Sequence, residues 1–360
     1  MRLYEEGGEL LLDPEPIGLD AVLRSPKYKL RCRRHVEGQR DGLLVLSMPD
    51  NNAGFEVIID RFGALAEKLG CTLEVSSSLR SRFLALKELA DERYRMGNEI
   101  KRGDGKYDAK LAEFARVVDA VMVRRLKDRQ MRDAFFLASM ARAGNFSVPG
   151  SGKTATVLGA FAFLAERGLV ERLMVVCPKN AFDSWRTEWR LCFGQNRPLA
   201  CFSTQDAGFV GMGRPDKQRF IRTGIGGVNL ILVNYEASPG IADDLQRVAA
   251  NKTLLVFDEV HRVKRVGGKQ AQAALTISSE ASYTFALTGT PLPNTYEDLY
   301  NFLHILYPHE YDSFFGFEKR ELKNATEEKQ LQINERIQPF FCRTTKADLG
   351  VPTAEPDELV

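Results

Sequence analysis

The chain has 360 residues, room for one large domain or two modest ones, and its 44% hydrophobic and 27% charged residues are ordinary for a globular protein. No run approaches the ~18–20 consecutive apolar residues of a membrane span. The acidic start MRLYEEGGEL also lacks the basic-then-apolar layout of a signal peptide, so a cytoplasmic protein with no membrane partner is expected. A net charge of +2 gives no global argument for a polyanion partner, so any nucleic-acid surface has to be local. None of the six cysteines forms a CxxC pair and the four histidines show no HExxH spacing, which argues against a zinc site or a disulfide framework.

In chain order, residues 1 to about 115 carry no nameable motif and read as a small α/β amino-terminal domain. Strands are expected at Tyr28–His35, Leu43–Met48 and Thr72–Val75, a helix at Phe55–Leu69, and amphipathic helices at Arg80–Ile100 and Lys110–Arg125. Lys27, Lys29, Arg31 and Arg33 alternate at period two. On a strand they share one face, opposite Tyr28, Leu30 and Cys32. That face is either a contact for a DNA backbone or the solvated side of an edge strand.

From about residue 120 to 350, short apolar strands alternate with helices, the signature of a parallel sheet covered by helices. Strands are expected near Phe146 and at Leu173–Cys177, Leu230–Asn234, Leu254–Phe257 and Thr284–Leu287. Helices are expected at Thr154–Glu166, Trp185–Cys192, Gln270–Ser278 and Tyr296–Leu306. The glycine-rich stretch Gly208–Phe220 reads as a loop or crossover.

The sharpest local signal is Ser147-Val-Pro-Gly-Ser-Gly-Lys-Thr154, between a strand and a helix. Glycines let such a loop wrap closely so that backbone N–H groups face phosphate oxygens, and the helix start adds its positive dipole end. Pro149, Gly150, Ser151, Gly152, Lys153, Thr154 and Ala155 are the candidate nucleotide-binding residues. Lys153 supplies a point charge for the β- and γ-phosphates, and Thr154 a hydroxyl for Mg²⁺. Ser147 stands where the general pattern has Gly or Ala.

About 100 residues on, the apolar run Leu254–Phe257 delivers Asp258 and Glu259 to a strand's carboxyl end, where α/β sheets place ligands. Asp258 is the candidate Mg²⁺ holder and Glu259 the candidate base for an attacking water. His261 then couples this site to the turn Leu287-Thr-Gly-Thr-Pro-Leu-Pro-Asn294, in which Thr288, Gly289 and Thr290 are candidate relays.

The order of these segments resembles the Swi/Snf-type ATPases of helicase superfamily two, over about residues 126–352. Leu126-Lys-Asp-Arg-Gln130 resembles the adenine-reading Q motif, with Arg129 where the family usually has an aromatic residue. Val175-Val-Cys-Pro-Lys-Asn180, with Trp185 and Trp189 after it, resembles motif Ia. Val233-Asn-Tyr-Glu236 resembles the Thr-Tyr-Glu motif. Asp258–Lys264 resembles the DEAH-box segment, Leu287–Asn294 with Glu297–Tyr300 resembles motif III, and Ile337–Lys346 resembles the segment that closes the lobe.

The resemblance implies a RecA-like first lobe over 116–352, with 353–360 opening a hinge, and a DNA-dependent ATPase using ATP and Mg²⁺ with Lys153, Asp258 and Glu259 as its catalytic set. It implies that Gln130 reads adenine and that Pro178, Lys179, Asn180, Asn234, Tyr235 and Asn294 contact double-stranded DNA. It further implies a second RecA-like lobe in a longer chain or a partner, and weak hydrolysis without it, since an arginine finger is worth ~10³–10⁵ in rate in comparable enzymes. Compact family segments beside an unfamiliar amino-terminal region point to anti-phage defence or DNA repair. An RNA helicase and a nucleotide-gated binding module are the alternatives. The water-activating Glu259 argues against the latter.

Overall fold

A computed structural model describes residues 1–49, 52–289, 296–317 and 319–350. They form two compact units, Met1–Glu92 with His309–Gly316, and Arg93–Pro308 with Phe317–Val360. The sequence-based boundary near residue 115 lies inside the second unit by this division.

The first unit contains β1 (Arg2–Glu6), β2 (Glu9–Asp13), α1 (Leu19–Arg24), β3 (Val36–Arg40), β4 (Leu43–Leu46), α2 (Asn52–Lys68) and β5 (Glu74–Val75). It also contains the start of α3 (Ser77–Arg102), which carries the chain into the second unit. The sheet order is β3-β4-β2-β1-β5, antiparallel except where β1 meets β5. Each of its two hairpins closes on two residues with positive φ, Gly7-Gly8 and Asp41-Gly42. Turns of that hand match the twist of the flanking strands, and Gly-Gly and Asp-Gly are the pairs that tolerate it. Phe55, Ile58, Phe62 and Leu65 recur at helical spacing on α2 and are buried against Leu3, Leu10, Leu12 and Leu44 of the sheet.

One expectation fails in this unit. Tyr28–His35 is not a strand but a π-helical turn, Tyr28–Cys32, followed by a 3₁₀ turn, Arg33–His35. Tyr28 and Cys32, four residues apart, face the core, while Leu30 is 83% exposed. Period two put all three on one face; the spacing the structure uses is that of a helix.

The second unit holds α4 (Asp108–Val121), α5 (Asp128–Met140), β6 (Arg142–Asn145), α6 (Lys153–Glu166), β7 (Arg172–Cys177), α7 (Phe182–Phe193), β8 (Cys201–Ser203), α8 (Ala207–Val210) and α9 (Arg214–Thr223). These are followed by β9 (Leu230–Asn234), α10 (Ala242–Ala249), β10 (Thr253–Phe257), α11 (Lys269–Ser279), β11 (Tyr283–Leu287), α12 (Glu297–Leu306), α13 (Lys319–Lys323), α14 (Glu327–Ile337) and β12 (Phe341–Cys342). The seven strands are all parallel in the order β12-β6-β11-β10-β7-β9-β8. The α/β reading, a parallel sheet flanked by helices behind a small α/β amino-terminal unit, describes what is seen. β9 and β10 are buried at every position, as their unbroken apolar runs require of strands covered on both faces. The stretch Gly208–Phe220 is largely helical, as α8 and α9, rather than a loop. Phe202, Phe209 and Phe220 form an aromatic cluster that seats it.

Arg142, 5% exposed, opens β6 and anchors the helices beyond the sheet. Its guanidinium donates to Ser278 O (2.7 Å) and Ala281 O (2.5 Å) at the end of α11, and to Ile305 O (3.2 Å) and Leu306 O (2.9 Å) at the end of α12. A cation at two helix carboxyl ends adds charge-assisted donors to last-turn carbonyls, of which Ser278 O also accepts from Ala281 N (3.3 Å).

Candidate nucleotide site

The parallel strands bring the candidate residues together at their carboxyl ends. β6 runs into the phosphate loop, whose Gly150 (φ +81°) and Gly152 (φ +84°) take the left-handed conformation. A Cβ on Gly152 would fall 2.1 Å from Gln130 Nε2, the movable tip of a long side chain, so it is the left-handed conformation that calls for glycine there. Gln130, the candidate adenine reader in the first turn of α5, accepts from Lys127 N (3.0 Å) and donates to Ser151 O (3.1 Å), bracing the phosphate loop.

Lys153 Nζ donates to Ser147 O (2.9 Å) and Val148 O (3.4 Å), curling the loop around its own lysine. Burial lowers its pKa, with Glu259 and Asp258 opposing the shift. Ser151 Oγ is buried in the loop without a hydrogen-bond partner among the described residues, a donor and acceptor left over. Thr154 and Ala155 follow in the first turn of α6, the former half-buried and the latter buried.

Next-but-one in the sheet, β10 delivers the acidic pair. Asp258 Oδ2 accepts from Trp185 Nε1 (2.9 Å) and Oδ1 from Glu259 N (3.0 Å), while Asp258 O accepts from Tyr235 OH (2.8 Å). Burial raises the Asp258 pKa, and the Trp185 bond works against it. Glu259 sits at φ +52°, ψ +49°, a left-handed conformation that a β-carbon makes costly. His261 Nδ1 lies 3.3 Å from Glu259 Oε2 and 3.4 Å from Thr288 Oγ1, so the acidic pair, His261 and Thr288 form one contiguous set. Gly289 backs onto the phosphate loop, where an added Cβ would meet Pro149 Cγ at 3.0 Å.

The expected DNA contacts separate into two groups. Lys179 and Asn180 are exposed beyond β7, with Pro178 buried before them. Asn234 and Tyr235 are not at the surface. Tyr235 is fully buried with its hydroxyl committed to Asp258, and Asn234, 2% exposed, is held by Thr204, Gln205 and Glu236. Both side chains face inward rather than to the surface: Tyr235 supports Asp258 from within, and Asn234 ties the end of β9 to Thr204 and Gln205 beyond β8. Thr290 and Asn294 lie outside the described residues.

Sequence patterns carry no hint of the clamp between the phosphate loop and the closing segment. Ser147 Oγ accepts from Thr344 N (2.8 Å), and Val148 N donates to Thr344 O (3.0 Å), so the unusual serine has a structural use. Arg129 reaches across to Thr344 Oγ1 (2.9 Å), Arg343 O (2.8 Å) and Asp348 Oδ1 (2.9 Å). Asp133, one turn along α5, accepts from Thr344 Oγ1 (3.3 Å).

Burial pushes the Asp133 carboxyl from 3.8 up to about 6, partly offset by Arg129 and Thr344. The protonated form is therefore favoured by folding, and the stabilisation is complete below about pH 4 and lost as pH rises towards about 6. Asp133→Asn is expected to flatten the fall in urea-unfolding midpoint across that window. An unchanged slope would refute the assignment.

Residues 147–358 match the family model of the SNF2-related domain. An ISWI chromatin-remodeling complex ATPase of Arabidopsis thaliana is 27% identical over 212 residues, covering 56% of this chain and 18% of the relative. A human SWI/SNF-related matrix-associated actin-dependent regulator of chromatin, subfamily A containing DEAD/H box 1, is 26% identical over 213 residues, covering 56% and 20%. The chain thus spans about a fifth of the length of these curated relatives. Among solved structures, a Sulfolobus solfataricus SWI2/SNF2 ATPase core in complex with dsDNA superposes with a TM-score of 0.50 at 21% identity, covering 66% of this chain and 48% of that one. At that identity the likeness is one of fold.

Proposed function

The chain belongs to the SNF2-related domain family, and from that premise we propose that its second unit is the nucleotide-binding lobe of a DNA-dependent ATPase motor. The observation that carries the reading is the convergence of the phosphate loop, Asp258, Glu259, His261 and Thr288 at the carboxyl ends of β6, β10 and β11. In this proposal the loop's backbone N–H groups and Lys153 hold the phosphates of ATP, Ser151 Oγ gains its missing partner, and Gln130 lies beside the base. Thr154 and Asp258 are the protein's ligands for Mg²⁺. The few protein donors suit a cation that keeps most of its shell as water and phosphate oxygen. When bound, Mg²⁺ neutralises charge on the phosphates. Trp185 and Tyr235 position Asp258. Glu259 orients and deprotonates the attacking water, and His261 with Thr288 relays the state of the site.

We further propose double-stranded DNA as the track and a second RecA-like lobe as the partner that completes the site. Support for the second lobe is that this chain covers 48% of the archaeal core. The cellular task in this reading is DNA repair or anti-phage defence.

The test is ATP binding and Mg-ATP hydrolysis by the wild-type chain and by Lys153→Ala, each with and without duplex DNA and duplex RNA. Expected are ATP binding that depends on Lys153, slow hydrolysis by this chain alone, and a rise of about 10³–10⁵-fold when the second lobe is supplied. Equal ATP binding by the two proteins would overturn the nucleotide site. Stronger stimulation by RNA would overturn the choice of track, and fast DNA-stimulated turnover without a second lobe would overturn the need for one.

A further inference from the structure

The first unit carries a charge cluster that the motor does not use. Residues 24–36 hold six Lys or Arg and no Asp or Glu. Tyr28 and Cys32 face the core, and the turn between them is held from behind by Arg61 of α2. Cys32 Sγ donates to Arg61 O (3.6 Å), and Arg61 Nη1 donates to Arg31 O (3.3 Å) and lies 2.6 Å from His35 Nε2. Arg33 is tied to Val36 O (2.8 Å), fixing the exit of the turn.

With its inner face so fixed, the turn presents Lys29, Arg31, Arg33 and Arg34 outward. Among the described residues no carboxylate stands within 4.0 Å of these side chains or of Lys27. Elsewhere on this chain some exposed Lys and Arg do meet acids, as Arg40 meets Glu9 and Lys252 meets Glu171. In the midst of the cations stands Leu30, 83% exposed, the most exposed large apolar side chain among the described residues.

A concentrated, unneutralised positive turn with one apolar side chain at its centre fits a phosphate-lined groove. Lys and Arg on phosphates release condensed counterions. A single leucine between flanking cations is the kind of apolar side chain that minor-groove proteins set against the bases. An anionic membrane is the poorer match, because interfacial binding draws on a broad apolar face and here one leucine protrudes. We infer that the turn Lys27–Arg34 is a second duplex-DNA contact, with Lys29, Arg31 and Arg34 on phosphates and Leu30 facing the groove. The choice of DNA over RNA rests on the motor reading above; the phosphate contact itself does not.

The test uses the full 360-residue chain without nucleotide and a short fluorescein-labelled DNA duplex, followed by anisotropy between about 50 and 200 mM salt. The combined variant Lys29→Glu, Arg31→Glu, Arg34→Glu is expected to make the slope of log K against log salt shallower by about 2–3, since each phosphate neutralised by a cation contributes about 0.9. Leu30→Gln is expected to weaken binding with the slope unchanged, since an apolar side chain releases no ions. The same three positions changed to Gln give a gentler set if charge reversal disturbs folding, as read by circular dichroism. A slope equal to wild type in the folded charge variants overturns the inference. So does a loss of binding to phosphatidylserine vesicles with duplex binding intact, which would make the turn a lipid-binding element. Tighter binding to an RNA duplex of the same sequence overturns the choice of DNA. Lys153-dependent ATP binding read on the same preparations separates the two ideas, because failure of the nucleotide-site reading abolishes it in wild type whereas failure of the turn to bind DNA leaves it untouched.

Discussion

Glu259→Gln is expected to lower the rate of ATP hydrolysis by about 10²–10⁴-fold, the usual worth of a positioned proton acceptor, while leaving ATP binding nearly unchanged. Both side chains have the same length and both can accept a hydrogen bond from His261, which stands 3.3 Å from Glu259 Oε2. What the amide cannot do is take a proton from water. The left-handed backbone at this position carries its cost in both proteins, so their unfolding midpoints should agree. The measurement is single-turnover hydrolysis with the same DNA and second lobe supplied to each protein, alongside binding of a non-hydrolysable ATP analogue. Hydrolysis within a few-fold of wild type would remove Glu259 from the catalytic role.

The second large effect falls on stability, at a residue with no place in the chemistry. Arg142→Leu is expected to destabilise the chain by roughly 3–5 kcal/mol, because four backbone carbonyls at the ends of α11 and α12 lose charge-assisted donors inside the fold. That is a large share of the ~5–15 kcal/mol by which domains are typically stable. The midpoint of urea unfolding reports it, and Arg142→Lys should recover part of the loss by keeping the charge without the fork of donors. A shift below about 1 kcal/mol would mean that the carbonyls find other partners.

Most of the parallel sheet was readable in the sequence, because β7, β9, β10 and β11 are apolar runs set at regular intervals between helices. The candidate site was readable for a related reason. Its chemistry is carried by residues adjacent in sequence, such as Gly150 to Thr154 and Asp258 with Glu259, and each group lies at a strand end. What escaped was whatever depends on packing across the fold. A lone arginine opening a strand gives no sign that it will serve two helix ends. Tyr235 and Asn234 sit in a motif-like segment, and only packing shows that they face inward. The clamp from Ser147 and Arg129 to Thr344 joins positions about 200 residues apart. The β1–β2 hairpin does carry a local signal, Gly7-Gly8 between apolar residues, although neither of its strands was expected. The Tyr28–His35 turn misled because alternating cations imitate a strand when the anchoring pair, Tyr28 and Cys32, satisfies both periods.

The bonds from Thr344 to Ser147 and Val148 have a thermodynamic corollary. The loop proposed to grip ATP and the segment 343–348 share a backbone pairing, so they do not have independent conformational equilibria. If ATP binding shifts that pairing and so changes, by some factor, the affinity of another body for residues 343–348, then engagement of that body must change the affinity for ATP by the same factor. Nucleotide affinity measured on this chain is then a property of what touches its closing segment as much as of the loop itself.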